Sequence, residues 1–371
     1  DPPREDSKET IRRATEHGIK VKMITGDNIA IAKEISSKLG LGTDIHPANE
    51  FFSDDNKPNI TFTHLDQIEK ADGFAQVFPE HKYHIVKVLQ ERGHIVGMTG
   101  DGVNDAPALK QANAGIAVSD ATDAARAAAA LVLTAPGLSV IVRAVEEARK
   151  IFERMNSYAI YRITETIRIM FFVVLAMIVF NFYPITAVMI ILLALFNDIP
   201  IMAIANDNTW LDPKPVKWDM HRVLTVSTIL GLIGVVETFG ILVIAKMLLH
   251  LNNSQIQTFI FLKLAIAGHL TLFVARTKKP FLSKPFPAGI VFWSAVITKF
   301  LATLLVVFGL GLVTPIPWSS VGIIWAYCIV WIFIEDWAKL SVYHHIDFKS
   351  NRYKFYLNLM KEPIHSYLNR K

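Results

Sequence analysis

Cysteine is almost absent: Cys328 stands alone, inside an apolar stretch near the carboxyl end. An intrachain disulfide is therefore excluded, as is a metal site built from several thiolates, and Cys328 reads as a small packing residue. Lysine and arginine are missing from three short connections, around Tyr183-Pro184, from His250 to Gln255 and from Thr314 to Pro317. Acidic residues are missing from a fourth, Arg276 to Pro287, which carries Arg276, Lys278, Lys279 and Lys284. The first residues show no signal peptide, and none is expected of a chain that starts inside a longer protein. The net charge of +5 leaves no nucleic-acid footprint, so nucleic acid is not an expected partner.

Apolar residues are abundant. They form 52% of the chain and give a mean hydropathy of +0.34, too apolar for a wholly soluble protein, and 371 residues are too many for one domain. Residues 1 to about 155 mix strand patterns, charged helices and polar loops. Residues 156–342 hold long apolar segments near 160–181, 185–204, 225–249, 256–275, 288–312 and 318–340. Each approaches or exceeds the roughly 20 residues that span a bilayer, so six spans are expected. A basic tail, 343–371, follows. The basic connections belong on the cytoplasmic side with the soluble part and the tail, beside anionic lipid headgroups.

The soluble part alternates strands with helices, and its chemistry sits where strands end. His94 to Thr99 reads as a short apolar strand and Val103 to Gln111 as a helix, joined by a turn in which Gly100 and Gly102 permit tight backbone geometry. Asp101 and Asp105 thus fall at a strand's carboxyl end, where α/β proteins bind ligands. Ile19 to Thr25 is another strand, ending in Thr25-Gly26-Asp27 before a helix over Ile29 to Leu39. The Thr25 hydroxyl and the following amides suit phosphate oxygens, although Thr and Asp also cap helices. A third unit runs from Gly73 through Phe78-Pro79-Glu80-His81-Lys82 into a helix. Lys82 falls in its first turn, where a cation is poorly placed unless an anion is present. Further strands are expected near 114–118 and 130–133, whereas Thr43 to Asp66 reads as a polar loop without chemistry. One hydroxyl, one ammonium and two carboxylates at strand ends suit Mg2+-assisted phosphoryl transfer.

Four motifs carry a resemblance: DPPR at Asp1 to Arg4, MITGD at Met23 to Asp27, VFPEHKY at Val77 to Tyr83 and MTGDGVNDAPALK at Met98 to Lys110. In this order they resemble the successive signatures of P-type ATPases. The stretches Gly115 to Ile141 and Ile151 to Ile169 are more similar to plasma-membrane proton pumps than to calcium or sodium/potassium pumps. The resemblance implies an α/β haloacid-dehalogenase-like, doubly wound phosphorylation domain, present in part, followed by an all-α membrane domain of six transmembrane helices. It implies Mg2+ and ATP as cofactors, with Mg2+ on Asp101 and Asp105, the phosphoryl group on Thr25 and Asn104, and Lys82 neutralising its charge. Asp1, Arg4, Gly26 and Asp27 would face the nucleotide. The implied activity is ATP-driven proton export across the plasma membrane through an aspartyl phosphate. The family's acceptor motif DKTGT and its TGE motif occur nowhere in the chain, so it is expected to be inactive alone and to need the missing amino-terminal part. A pump for another cation, or a regulatory half of a split pump, is the alternative.

Charge buried in a membrane marks function by default. Arg168 lies in the first span and Asp198 in the second, within Asn197-Asp198-Ile199-Pro200, where Pro200 is expected to loosen the helix. By resemblance Asp198 carries the proton and Arg168 is its counter-charge. Glu165, three residues before Arg168, shares its helix face and could pair with it instead, making Glu165 and Asn197 further members of the transport site. Glu237, Lys263, His269 and Lys299 are expected to pair between helices or snorkel, and Glu335 and Asp336 to lie near the interface.

Overall fold

The computed structural model describes residues 6–52, 62–137, 139–212 and 218–361. Contacts divide the chain into two compact units, one of Asp1–Arg149 with Asp212–Pro215, the other of Lys150–Leu211 with Val216–Lys371.

In the first unit, helices α1 (Ser7–Glu16), α2 (Ile29–Leu39), α3 (Phe62–Lys70), α4 (Pro79–Glu91), α5 (Ala106–Gln111) and α6 (Asp123–Ala128) alternate with short strands. The strands are β1 (Met23–Ile24), β2 (Ile45–Pro47), β3 (Gly73–Ala75), β4 (Gly97–Gly100), β5 (Ala114–Ala117) and β6 (Leu131–Val132). All pair in parallel, in two three-stranded sheets ordered β1-β3-β2 and β4-β5-β6. The sequence leads to one sheet; among the described residues no ladder joins the two, and β1 and β4 are both edge strands. The polar stretch after Thr43 also differs from expectation, because Ile45–Pro47 pairs with β3 and α3 starts at Phe62. Only Ile45 in that strand is apolar and buried, too little to show a period of two. One core gathers Phe51, Phe52, Ile68, Phe74, Ile85 and Val88, and another Val86, Met98, Leu109, Ala117 and Ala125, so α4 serves both.

The second unit is helical. Helix α7 (Ser139–Phe180) runs unbroken for 42 residues, about 63 Å at 1.5 Å per residue, and its first turns belong to the first unit. It is followed by α8 (Ala187–Ala203), α9 (Met220–Val243), α10 (Asn253–Ala275), α11 (Gly289–Phe308) and α12 (Trp318–Lys361). Among the described residues, six helices are long and apolar enough to cross a membrane. Pro200 does not break α8, which continues to Ala203: the missing N–H removes one bond, to the Phe196 carbonyl, and only three residues of the helix follow it. Helix α12 carries on beyond residue 343, where a separate tail was expected. Helix α10 is the centre: 89% of its apolar window is buried, against 28% for α7 and 33% for α12. At the end of α8, Asp207 accepts from Arg276 Nε at 2.8 Å and from Ala288 N at 2.9 Å, tying that end to the basic 276–288 connection.

Candidate functional site

At the end of β1, the pairing with β3 is prolonged by backbone bonds from Thr25 N to Phe74 O (3.0 Å), Val77 N to Thr25 O (3.1 Å) and Gln76 N to Asp27 O (3.0 Å). The Thr25-Gly26-Asp27 loop is thereby held beside the segment that starts α4. Thr25 Oγ1 donates to Asp27 Oδ2 at 2.9 Å and accepts from Asp27 N at 3.1 Å. Neither residue caps α2. That role falls to Asn28, whose side chain accepts from Ala30 N at 3.0 Å, leaving the exposed Gly26 and Asp27 outside the helix.

The loop after β4 is pinned by Asp105. Its Oδ2 accepts from Asp101 N and Gly102 N, both at 3.2 Å, and its Oδ1 accepts from Lys82 Nζ at 2.7 Å. Only glycine fits at position 100, since a Cβ there would stand 2.6 Å from Asp105 Cβ. The segment Val103–Asp105 is a 3-10 turn, and α5 begins after it, three residues later than the sequence suggests. Burial alone would raise the Asp105 carboxyl, but the hydrogen bonds from Lys82 and Gly102, the lysine's charge and the Asp101 amide outweigh it and hold the group below the ordinary carboxylate range.

Both Asp105 oxygens accept from protein donors, so Asp105 shapes the loop and holds Lys82. Asp101 is exposed, and no hydrogen bond engages its carboxylate among the described residues. Mg2+ is commonly held by one or two carboxylates with waters and substrate phosphates, so Asp101 fits it as a single ligand. No cluster of three or more His, Cys, Asp or Glu able to hold a metal occurs among the described residues. Asn104 is exposed in the same turn. Asp1 and Arg4 lie outside the described residues.

In the membrane unit the charges meet, though not as expected. Arg168 is wholly buried. Its Nη1 donates to Glu165 Oε1 at 2.5 Å, and its Nη2 donates to Glu335 Oε1 and to Thr271 Oγ1, the latter at 2.8 Å, with Glu237 Oε2 4.0 Å away. The Thr271 hydroxyl donates to Glu335 Oε2 at 2.8 Å. Lys263 Nζ lies 3.0 Å from Glu237 Oε2 and donates to Thr238 at 2.6 Å, an interhelical pair as anticipated. Gly234 of α9 makes room for this arrangement, since a Cβ there would fall 2.0 Å from Arg168 Nε.

Asp198 is not in the cluster. Its side chain is 53% exposed and sits 3.4 Å from Arg162, so Arg168 is not its counter-charge. Successive helical residues point about 100° apart; Asn197 takes the inward direction at 6% exposure, and Asp198 is turned off it. Glu335, expected near the interface, is buried at 2%. Nothing local announced the arrangement: Glu335 and Thr271 are 167 and 103 residues from Arg168, only the charge of Glu335 in an apolar span drew attention to it, and no signal marked Thr271. His269 and Lys299 are buried as well, Lys299 with its ammonium 3.5 Å from Ala295 O and 5.9 Å from the Phe273 ring.

Known proteins share both parts. The family of haloacid dehalogenase-like hydrolases matches residues 1–113. A protein of Methanocaldococcus jannaschii named "Putative cation-transporting ATPase" is 52% identical over 341 residues, covering 92% of this chain and 42% of the relative. The chain thus spans less than half the length of that relative. A solved structure of the catalytic domain of the CPx-ATPase CopB-B shares 25% identity over 38% of this chain and 45% of its own, with a TM-score of 0.28, too low to bear on the fold. The soluble unit is a haloacid dehalogenase-like domain with parallel sheets, and the chain, in joining it to six candidate membrane helices, is P-type ATPase-like.

Proposed function

We propose that this chain is part of an ATP-driven cation pump that works through an aspartyl phosphate and exports protons across the cell membrane. The observation that carries the pump reading is the Lys82–Asp105 contact, 2.7 Å long, which places an ammonium over a glycine loop beside the exposed carboxylate of Asp101. A phosphoryl group at these strand ends would meet the Lys82 charge, the Thr25 hydroxyl and Asn104. Mg2+, when bound at Asp101, supplies charge neutralisation for the transferring group. Asp105 keeps Lys82 aimed and the loop closed, and Gly26 and Asp27 face the nucleotide. The acceptor aspartate comes from outside these 371 residues, since the sequence has no DKTGT. The soluble unit, the basic connections and the carboxyl end lie on the cytoplasmic side.

The choice of ion rests on Arg168. A guanidinium fixed among the carboxylates repels a metal cation and leaves a protonatable carboxylate workable. Three buried carboxylates, Glu165, Glu237 and Glu335, favour a metal cation as the second reading. Inside-out vesicles holding the complete protein decide between them. ATP should acidify the lumen without added Na+, K+ or Ca2+; turnover that requires one of these and makes no pH gradient overturns the proton reading.

A further inference from the structure

The connection between α10 and α11 is built on a buried ion pair. Besides its bond to Asp207, Arg276 donates from Nη2 to Asn208 O at 2.8 Å and from Nη1 to Pro285 O at 2.9 Å. Asn208 Nδ2 donates in turn to Phe286 O at 3.2 Å, so the segment after α8 and the far end of the connection are locked side by side. Helix α12 holds the near end, where Asp336 accepts from Phe281 N at 3.2 Å and Lys339 Nζ donates to Lys279 O at 2.7 Å. Side chains that leave this backbone are therefore presented on a fixed frame.

The acids within reach are already taken. Asp207 serves Arg276, Asp336 serves Lys339, and Glu153 of α7 serves Lys278 at 2.9 Å. Lys279 and Lys284 are exposed, and neither meets a carboxylate among the described residues. The Lys279 ammonium rests instead 4.1 Å from the centre of the Trp210 ring. Trp210, Leu282 and Phe286, on the same two segments, are exposed as well. Large apolar side chains held out on a fixed frame are unfavourable in water, and two cations without acids attract an anion. One environment answers both. The connection runs from the last residue of α10, Ala275, to the first of α11, Gly289, the level at which two candidate spans leave the hydrocarbon and headgroup phosphates meet acyl chains. A soluble anion would satisfy the lysines and leave Trp210, Leu282 and Phe286 in water.

We propose that Trp210, Lys279, Leu282, Lys284 and Phe286 form a docking surface for anionic phospholipid. Leu282 and Phe286 enter the acyl-chain boundary, Trp210 lies at headgroup level, and the two ammonium groups hold the phosphates. A zwitterionic headgroup carries a cation of its own beside its phosphate, so the two lysines prefer a headgroup of net negative charge. The binding needs no ATP and stands apart from the pump reading.

Fluorescence quenching in the full-length protein tests the surface. Cys328 is buried, so a fluorophore on Ser283→Cys labels one position between Leu282 and Lys284. In phosphatidylcholine bilayers, chain-brominated phosphatidylglycerol should quench it at a mole fraction about twentyfold lower than brominated phosphatidylcholine, since each lysine near the surface strengthens the attraction about fivefold. Lys279→Gln and Lys284→Gln should each remove about fivefold of that preference, and Lys87→Gln, at an exposed lysine of α4, should keep it. Equal quenching by the two lipids, quenching by neither, or a preference lowered as much by Lys87→Gln overturns the proposal. So does a preference that inorganic phosphate abolishes at fixed ionic strength, which would assign the lysines to a soluble anion.

Discussion

The two units use the same ingredients, a cation among carboxylates, in opposite settings. Around Lys82 the group is small, partly open to solvent, and built at strand ends from a helix start and a loop: Lys82 is 22% exposed and its partner Asp105 only 7% by side chain. Around Arg168 the group is dry, built on four helices, and every member is nearly inaccessible. In the first setting the surplus carboxylate, Asp101, stands open to a ligand. In the second, each charge is held by others whose own burial depends on it. Substitution should therefore remove chemistry in the soluble unit and remove structure in the membrane unit.

The largest test of that contrast is Arg168→Met. It leaves three carboxylates buried around an apolar side chain, and breaking such a network costs about 3–5 kcal/mol. The helical unit should lose cooperative unfolding in nanodiscs, followed by circular dichroism while denaturant is raised, whereas the soluble unit should keep its transition. Equal loss in both would erase the distinction.

Next in size, Asp101→Asn in the complete protein should lower phosphoenzyme formation about 10²–10³-fold, the range for removing one preorganised electrostatic contact. Its thermal unfolding should hardly change, because Asp101 is exposed. A phosphoenzyme level unaltered at ordinary Mg2+ would end the assignment of Asp101.

The smallest expected effect concerns acid. Asp105 is held below its ordinary value of 3.8, so the stability it contributes is present above that value and is lost as pH falls through the lower folded one. In Lys82→Met the strongest opposing influence on the carboxyl's burial is gone, so the folded value rises and the loss begins at higher pH. Melting temperature against pH, compared with the unsubstituted protein, measures the shift; coincident curves would mean that Lys82 does not hold Asp105.

How far these sites could be read beforehand follows from how far apart their members are. The run Met98 to Lys110 contains its own turn, glycines and carboxylates, so the loop was legible. Lys82 was legible as a cation in need of an anion, yet its partner Asp105 was not, because 23 residues separate the two and only the fold brings them together. Asn28 was hidden behind Thr25 and Asp27, which are equally good caps, and β2 behind its single buried apolar residue. In the membrane, Glu165 and Arg168 showed their pairing through the three-residue spacing. Glu335 did not, since helix packing alone brings α12 to α7, and Asp198 drew attention by its composition although helical phase turns it away.

Helix α10 has a consequence for biogenesis. Almost enclosed by its neighbours, it can hold Lys263 near its midpoint and His269 less than two turns on without facing lipid. A nascent chain has no such neighbours at first, and a lysine at a helix centre disfavours insertion by about 2.5–3.5 kcal/mol. Glu237 lies on α9, which is synthesised immediately before, and it meets Lys263 at 3.0 Å in the finished fold. The translocon therefore receives the acid before the base, and the α9–α10 hairpin enters the bilayer as a neutral pair where α10 alone would be a reluctant span.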